Sequence, residues 1–131
     1  MWPFGHRGRS PLGERGEKTA RKFLKQQGLE ILAQNYRCPR GEVDLIALDR
    51  STRAQMGAET ICFVEVKTRS SDRYTDPESA VDADKQHRVR KAADYYLASR
   101  DAEGFNVRFD IVSIVLREGA HPQIRHITDA F

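Results

Sequence analysis

The stretch from Gly41 to Arg69, GEVDLIALDRSTRAQMGAETICFVEVKTR, constrains this chain more than any other. It holds two apolar runs, VDLIAL and ICFVEV, each interrupted by one carboxylate, Asp44 and Glu65; Lys67 follows Glu65 at a spacing of two. Alternate residues of a β-strand point to opposite faces. Read as strands, the runs put Glu65 and Lys67 on one face and Cys62, Val64 and Val66 on the other. Charges inside buried strands are costly unless they are paired or bind a metal. Three of them in the most hydrophobic part of the chain point to function. The structural alternative is a buried ion-pair network of Asp44, Glu65 and Lys67, which would stabilise the fold only weakly.

A chain of 131 residues is expected to form one domain with a core of its own. No apolar run reaches the roughly 20 residues of a membrane span, and the N-terminal MWPFGHRGRSPLGERG has no apolar core of signal-peptide length. These features predict a cytoplasmic protein without a membrane partner. Cys38 and Cys62 have no metal-ligand spacing and read as reduced, small hydrophobes. His6, His87, His121 and His126 are scattered and read as surface or local packing residues.

The net charge of +3 conceals segregation. Residues 1–40 hold nine Lys/Arg against three Asp/Glu, residues 41–84 five against ten, and residues 85–100 five against one. An acidic centre between two basic segments suits a metal site beside a polyanion groove, although two helices with solvated basic faces would give the same pattern.

The element order follows from periodicity and punctuation. Residues 1–12, with Pro3, Gly5, Gly8 and Pro11, read as a mobile basic tail, and residues 13–131 as a single domain. Residues 13–27 predict a helix stopped by Gly28, with Ala20, Phe23, Leu24 and Gln27 as its apolar stripe and Glu17 on the edge of that stripe. Glu14 and Glu17 also suit the first turn of a helix, where acids complement the dipole. Residues 29–37, 42–49 and 61–68 read as three strands in an antiparallel meander, with Val43, Leu45 and Ala47 on one face of the second. Residues 50–60 read as a loop, flexible at 55–58, and residues 69–81 as irregular. A helix follows to Ser99, with Asp82 as the preferred N-cap and Val89, Ala92 and Tyr96 facing inward. Lys85 falls on that stripe in the first turn, where free backbone amides suit a phosphate; lying along the surface is the plain alternative. Residues 106–116 predict a fourth strand, parallel to the third, and Ile124–Thr128 a short last one. Asp110 interrupts the fourth run, to pair with a basic group or to mark a sheet end.

Two carboxylates on neighbouring central strands can share a hard divalent cation, Mg²⁺ or Mn²⁺, with the Val66 carbonyl as a further ligand. Lys67 would orient or deprotonate a water, or stabilise charge developing on phosphate. This is the chemistry of phosphodiester hydrolysis.

The segments GEKTA (16–20), GEVDLIA (41–47), FVEVKTR (63–69), Lys85–Gln86 and RFDIV (108–112) closely resemble the YraN family. That family is similar to Holliday-junction resolvases and is assigned to the PD-(D/E)xK, or restriction-endonuclease-like, superfamily. The resemblance covers Gly13 to about Leu116. It implies an α/β fold with an α-β-β-β-α-β core, a mixed central sheet flanked by helices. It implies Asp44, Glu65 and Lys67 as the active-site signature and Glu17 as the helical acid that joins the metal ligands. Lys85 and Gln86 would face the nucleic acid, with Arg69 and Arg88 as further contacts. The implied activity is that of a metal-dependent endonuclease on DNA, branched or single-stranded, and resolvase-like relatives work as homodimers. The chain departs from the pattern in two places: Val43 stands where the superfamily's proline would be, and Asp82 and Asp84 make the turn before Lys85 less basic than in relatives. A nucleic-acid-binding module of nuclease ancestry that does not cut alone, and a protein-interaction domain, are the competing classes.

Overall fold

The computed structural model describes residues 10–70 and 81–131. The expected tail up to residue 9, and residues 71–80 of the expected irregular stretch, lie outside them.

Helix α1 spans Pro11–Gln26. The Ser10 hydroxyl accepts from the Gly13 amide at 3.0 Å, and Pro11 takes the first helical position, where a missing amide hydrogen costs nothing. The helix therefore takes in Pro11 and Leu12, which the Pro/Gly punctuation assigns to the tail. Its other end closes on Gly28 as predicted. Gly28, at φ 94°, donates to the Lys25 carbonyl and Leu29 to the Leu24 carbonyl, each at 3.0 Å. Leu24 and Leu29 meet in one apolar cluster, completing a Schellman stop. Gln27, expected on the apolar stripe, is exposed because the helix has already ended.

Five strands form one mixed sheet in the order β1 (Glu30–Cys38), β2 (Gly41–Asp49), β3 (Thr60–Arg69), β4 (Asn106–Val115) and β5 (Gln123–Ile127). The first three make the predicted antiparallel meander, β4 runs parallel to β3, and β5 returns antiparallel. Between β2 and β3 the expected loop is a 3₁₀ turn, Arg50–Thr52, followed by the single-turn helix α2, Arg53–Met56. Short polar side chains order it. Asp49 accepts from the Ser51 amide at 3.0 Å, the Thr52 hydroxyl donates to the Ala58 carbonyl at 2.8 Å, and Gly57 turns the chain at φ 77°. Helix α3, Ala83–Ala98, connects β3 to β4, with the Asp82 carboxylate capping the Lys85 amide at 2.9 Å as anticipated.

The sheet is buried on both faces. Against one face lie Ala20 and Leu24 of α1, packed on Leu45, Ala47, Cys62, Val64 and Val112. Against the other lie Val89, Ala92, Ala93 and Tyr96 of α3, packed on Ile46, Leu48, Ile61 and Phe63. Cys62 and Val64 take the face that alternation predicts. Val43 does not: it packs with Ile46 and Leu48 instead of with Leu45 and Ala47. The reason lies in the pairing. β2 is held between two neighbours only from Leu45 onward; before that residue it pairs with β1 alone. Between the pairs Gln34–Leu45 and Tyr36–Val43, Asn35 adopts φ 51°, a conformation Asn tolerates better than most residues, and Val43 and Leu45 lie in the clusters on opposite faces.

Two glycines set how closely the helices approach. A Cβ on Gly16 would collide with the Thr68 side chain, so α1 sits directly on β3. A Cβ on Gly41 would collide with the Arg88 carbonyl, so α3 rests on the first residue of β2. That close approach is what requires a glycine at this position.

Asp110 is fully buried and is the hub that fastens β4 to β5. Arg108 grips it with two bonds, at 2.9 and 3.0 Å, and reaches Asp49 at 3.2 Å. His126 Nε2 lies 2.9 Å from its other side, and the Asp129 amide donates to it at 3.0 Å. Burial pushes the Asp110 carboxyl up, but the bonds from His126, Arg108 and Asp129 outweigh it and hold it below the usual carboxylate range. This settles Asp110 as the partner of basic groups.

Replacing Asp110 by Asn leaves the Arg108 charge without its closest counterion. Urea denaturation at pH 7 should show a loss of about 3–5 kcal/mol. Because the carboxyl titrates lower in the folded state than in the unfolded chain, its contribution is full above about pH 4 and disappears as pH falls through the depressed value. The parent should therefore lose stability in acid more steeply than the Asn variant, and an equally steep decline in both would contradict this role.

Candidate active site

The central feature is a fork. The β2–β3 ladder runs from Asp49↔Thr60 to Leu45↔Val64 and stops there. β3 continues to Arg69 against β4, while β2 continues back to Gly41 against β1. Backbone groups beyond the split lose their ladder partners, and carboxylates replace them. Asp44 Oδ2 accepts from the Val66 amide at 2.8 Å, and Glu65 Oε1 accepts from the Asp44 amide at 3.4 Å. Buried amides need partners, so the divergence of the strands and the presence of the two acids explain each other.

A cleft of about 320 Å³ opens at the fork. Asp44, Glu65, Val66 and Lys67 lie along it, joined by Glu17 from α1 and Lys85 from α3. All four residues assigned to catalysis from the sequence, Asp44, Glu65, Lys67 and Glu17, thus share one cavity. Glu17 is 6% exposed, which agrees with its predicted position on the inward edge of α1.

Glu65 is 1% exposed, and its Oε2 lies 3.2 Å from Lys85 Nζ. Burial and then the nearby Asp44 charge push its carboxyl up; Lys85 and Lys67 pull it back only in part. Burial pushes Lys85 down, but Glu65 and Asp44 outweigh that and hold it protonated. The two shifts oppose each other across one ion pair. The raised Glu65 decides the reading, because its burial and the neighbouring Asp44 charge outweigh the ammonium of Lys85.

The residues expected at nucleic acid divide. Lys85 is in the cleft, its head group turned to Glu65. Gln86 uses its side-chain amide to donate to the Val81 carbonyl at 3.1 Å and does not line the cavity. Arg88 is exposed and lines a second, smaller depression beside the β1–β2 turn. Arg69 ends β3, half-buried, outside the cleft lining. Sequence reading misses the contribution of β1: Asn35, Tyr36 and Arg37 form one wall, and Arg37 Nε lies 3.6 Å from Glu42. The available signal is Asn35 itself, a poor strand former in the middle of a strand.

The donor set suits a hard cation. Two carboxylates, Asp44 and Glu65, meet there beside the Val66 backbone, and carboxylate oxygens are the ligands such a cation takes. Among the described residues, no group of three or more His, Cys, Asp and Glu side chains is gathered tightly enough to hold a metal by itself. A cation here would therefore rest on Asp44 and Glu65 with water and substrate oxygens. Glu17 lines the cleft without completing such a group.

Fold and site together define an α/β protein whose charged cleft opens where two central strands part. Residues 16–114 match the model of "Uncharacterised protein family UPF0102", the family of the YraN proteins, and the chain belongs to this family. It is 44% identical over 120 residues to a UPF0102 protein of Syntrophus aciditrophicus, covering 91% of this chain and 87% of the relative. It is 42% identical over 120 residues to one of Nocardia farcinica, covering 92% and 88%. It is 39% identical over 129 residues to one of Trichlorobacter lovleyi, covering 98% and 96%. The matched span contains the whole fork. No helix of the described residues is long and apolar enough to cross a membrane.

Asp44→Asn keeps an acceptor for the Val66 amide and removes one of the two crowded charges. The raised Glu65 carboxyl makes the parent lose stability as pH rises from about 4.5 through that raised value. The variant should lose less, and should be the more stable protein by on the order of 1 kcal/mol above neutrality. Urea denaturation at pH 6 and pH 9 measures the difference. A variant less stable than the parent at both pH values would show that the acids stabilise the fold.

Proposed function

We propose that this protein is a metal-dependent endonuclease that hydrolyses phosphodiester bonds in DNA, branched or single-stranded, on a restriction-endonuclease-like core. The observation that carries this reading is the Asp44–Glu65 pair at the β2–β3 fork, with Lys67 beside it in an open, polar cleft. A carboxyl with strongly shifted titration, set in a cleft beside a second acid, is a functional-site candidate. Membership of the YraN family, and that family's resemblance to resolvases, agree with it.

In this reading Asp44, Glu65 and the Val66 carbonyl hold Mg²⁺ or Mn²⁺. The cation supplies positive charge to the scissile phosphate and lowers the pKa of a neighbouring water. The rigid sheet keeps the two acids in place: Asp44 is tied to the Val66 amide, and β3 is paired with β4 along its whole length. Lys67 brings an ammonium to the same cavity, where it orients the attacking water or neutralises charge on the phosphate oxygens. Glu17, on the α1 side, accepts a hydrogen bond from a water and limits its orientation.

A second reading has support from the Lys85–Glu65 ion pair, which occupies the site with the protein's own charge. In it the protein binds nucleic acid and cuts only with a partner. A cleavage assay on linear, single-stranded and four-way-junction DNA with Mg²⁺ or Mn²⁺ separates the two. The endonuclease reading predicts cleavage by the parent, none by Asp44→Ala or Glu65→Ala, and about 10²–10³-fold slower cleavage by Lys67→Ala, all three remaining folded. Salt-dependent DNA binding without turnover would favour the binding module. Equal cleavage by parent and acid variants would overturn the site assignment.

A further inference from the structure

We propose that Lys85 is a built-in counterion: its ammonium holds the cation position of the carboxylate pair until a divalent cation displaces it. The proposal rests on the metal-site reading above. Lys85 Nζ lies 3.2 Å from Glu65 Oε2, and the two side chains are 22% and 1% exposed. An ammonium on that oxygen and a divalent cation between Asp44 and Glu65 would be like charges a few ångströms apart. In a partly desolvated cleft such neighbours exclude each other.

The exchange would move a side chain and leave the helix in place. The first turn of α3 is fixed from three directions. Asp82 Oδ1 accepts from the Lys85 amide at 2.9 Å, the Asp82 carbonyl accepts from the Gln86 amide at 2.9 Å, and Gln86 Nε2 donates to the Val81 carbonyl at 3.1 Å. The lysine stem is flexible, and its head already borders the open cavity. A displaced ammonium would face the space where a substrate phosphate must lie. The other carboxylate near its path, Glu42, is already beside Arg37. Metal and polyanion would thus help each other: the metal frees Lys85, and a phosphate rewards its release. Linkage requires that coupling to be reciprocal.

Calorimetry with Mn²⁺ on the parent, Lys85→Gln, Lys85→Arg and Asp44→Ala tests this. Lys85→Gln should bind Mn²⁺ on the order of tenfold more tightly than the parent, Lys85→Arg should stay near the parent, and Asp44→Ala should lose binding. Lys85→Gln should also show the larger Mn²⁺-induced rise in Tm, because its Glu65 has lost its nearest cation; circular dichroism checks that it is folded. Binding by Lys85→Gln no tighter than by the parent overturns the counterion role. If Asp44→Ala loses binding in that case, the metal site stands and only the inference falls. If Asp44→Ala binds as well as the parent, the metal site itself is misplaced.

Discussion

The parting of β2 from β3 after Leu45 is the constraint on which the rest depends. A sheet ladder cannot simply stop inside a protein, because the freed amides must find acceptors. Here the acceptors are carboxylates, one from each strand, and each satisfies the backbone of the other. Two acids are thereby placed side by side, Glu65 buried and Asp44 half-buried, and their crowding is the chemical content of the site. Water alone could have satisfied the amides. Acids do so while crowding two carboxylates together.

That crowding is tolerable because the fold is secured elsewhere. The Arg108–Asp110–His126 cluster ties the last two strands together, and Arg108 extends it to Asp49, at the far end of β2 from Asp44. Close contact at Gly16 and Gly41 fixes α1 and α3 against the sheet. Glu17 and Lys85, one on each helix, are consequently delivered to the cleft by backbone geometry. The contrast between the two buried acids is instructive. Asp110 has more donors than its charge needs and titrates low, whereas Glu65 has fewer and titrates high. The first arrangement favours the charged carboxylate, and the second disfavours it.

Much of this was legible in the sequence. Strand periodicity located β2, β3 and β4, Gly28 and Asp82 marked helix ends, and charges inside apolar runs singled out Asp44, Glu65 and Lys67, though not the parting of the strands that brings them together. What stayed hidden arises from long-range or local polar contacts that periodicity does not encode. The face of Val43 depends on where β2 loses its second neighbour. The order of residues 50–57 depends on Asp49 and Thr52 bonding to nearby backbone. The partnership of His126 with Asp110 spans sixteen residues and is invisible until β5 is placed. The wall contributed by Asn35, Tyr36 and Arg37 becomes functional only because β1 runs beside the fork. Lys85 was expected at a phosphate, and the structure turns it to Glu65.

Paramagnetic broadening by Mn²⁺ in the amide spectrum of the ¹⁵N-labelled protein tests the central claim, that the fork is a cation site, most directly. At substoichiometric Mn²⁺ the amides of Asp44, Glu65, Val66 and Lys67 should broaden first, with those of Glu17 and Lys85 following. Broadening that begins instead at exposed acids such as Asp84, Asp94 or Glu118, and leaves Val66 sharp, would contradict the account.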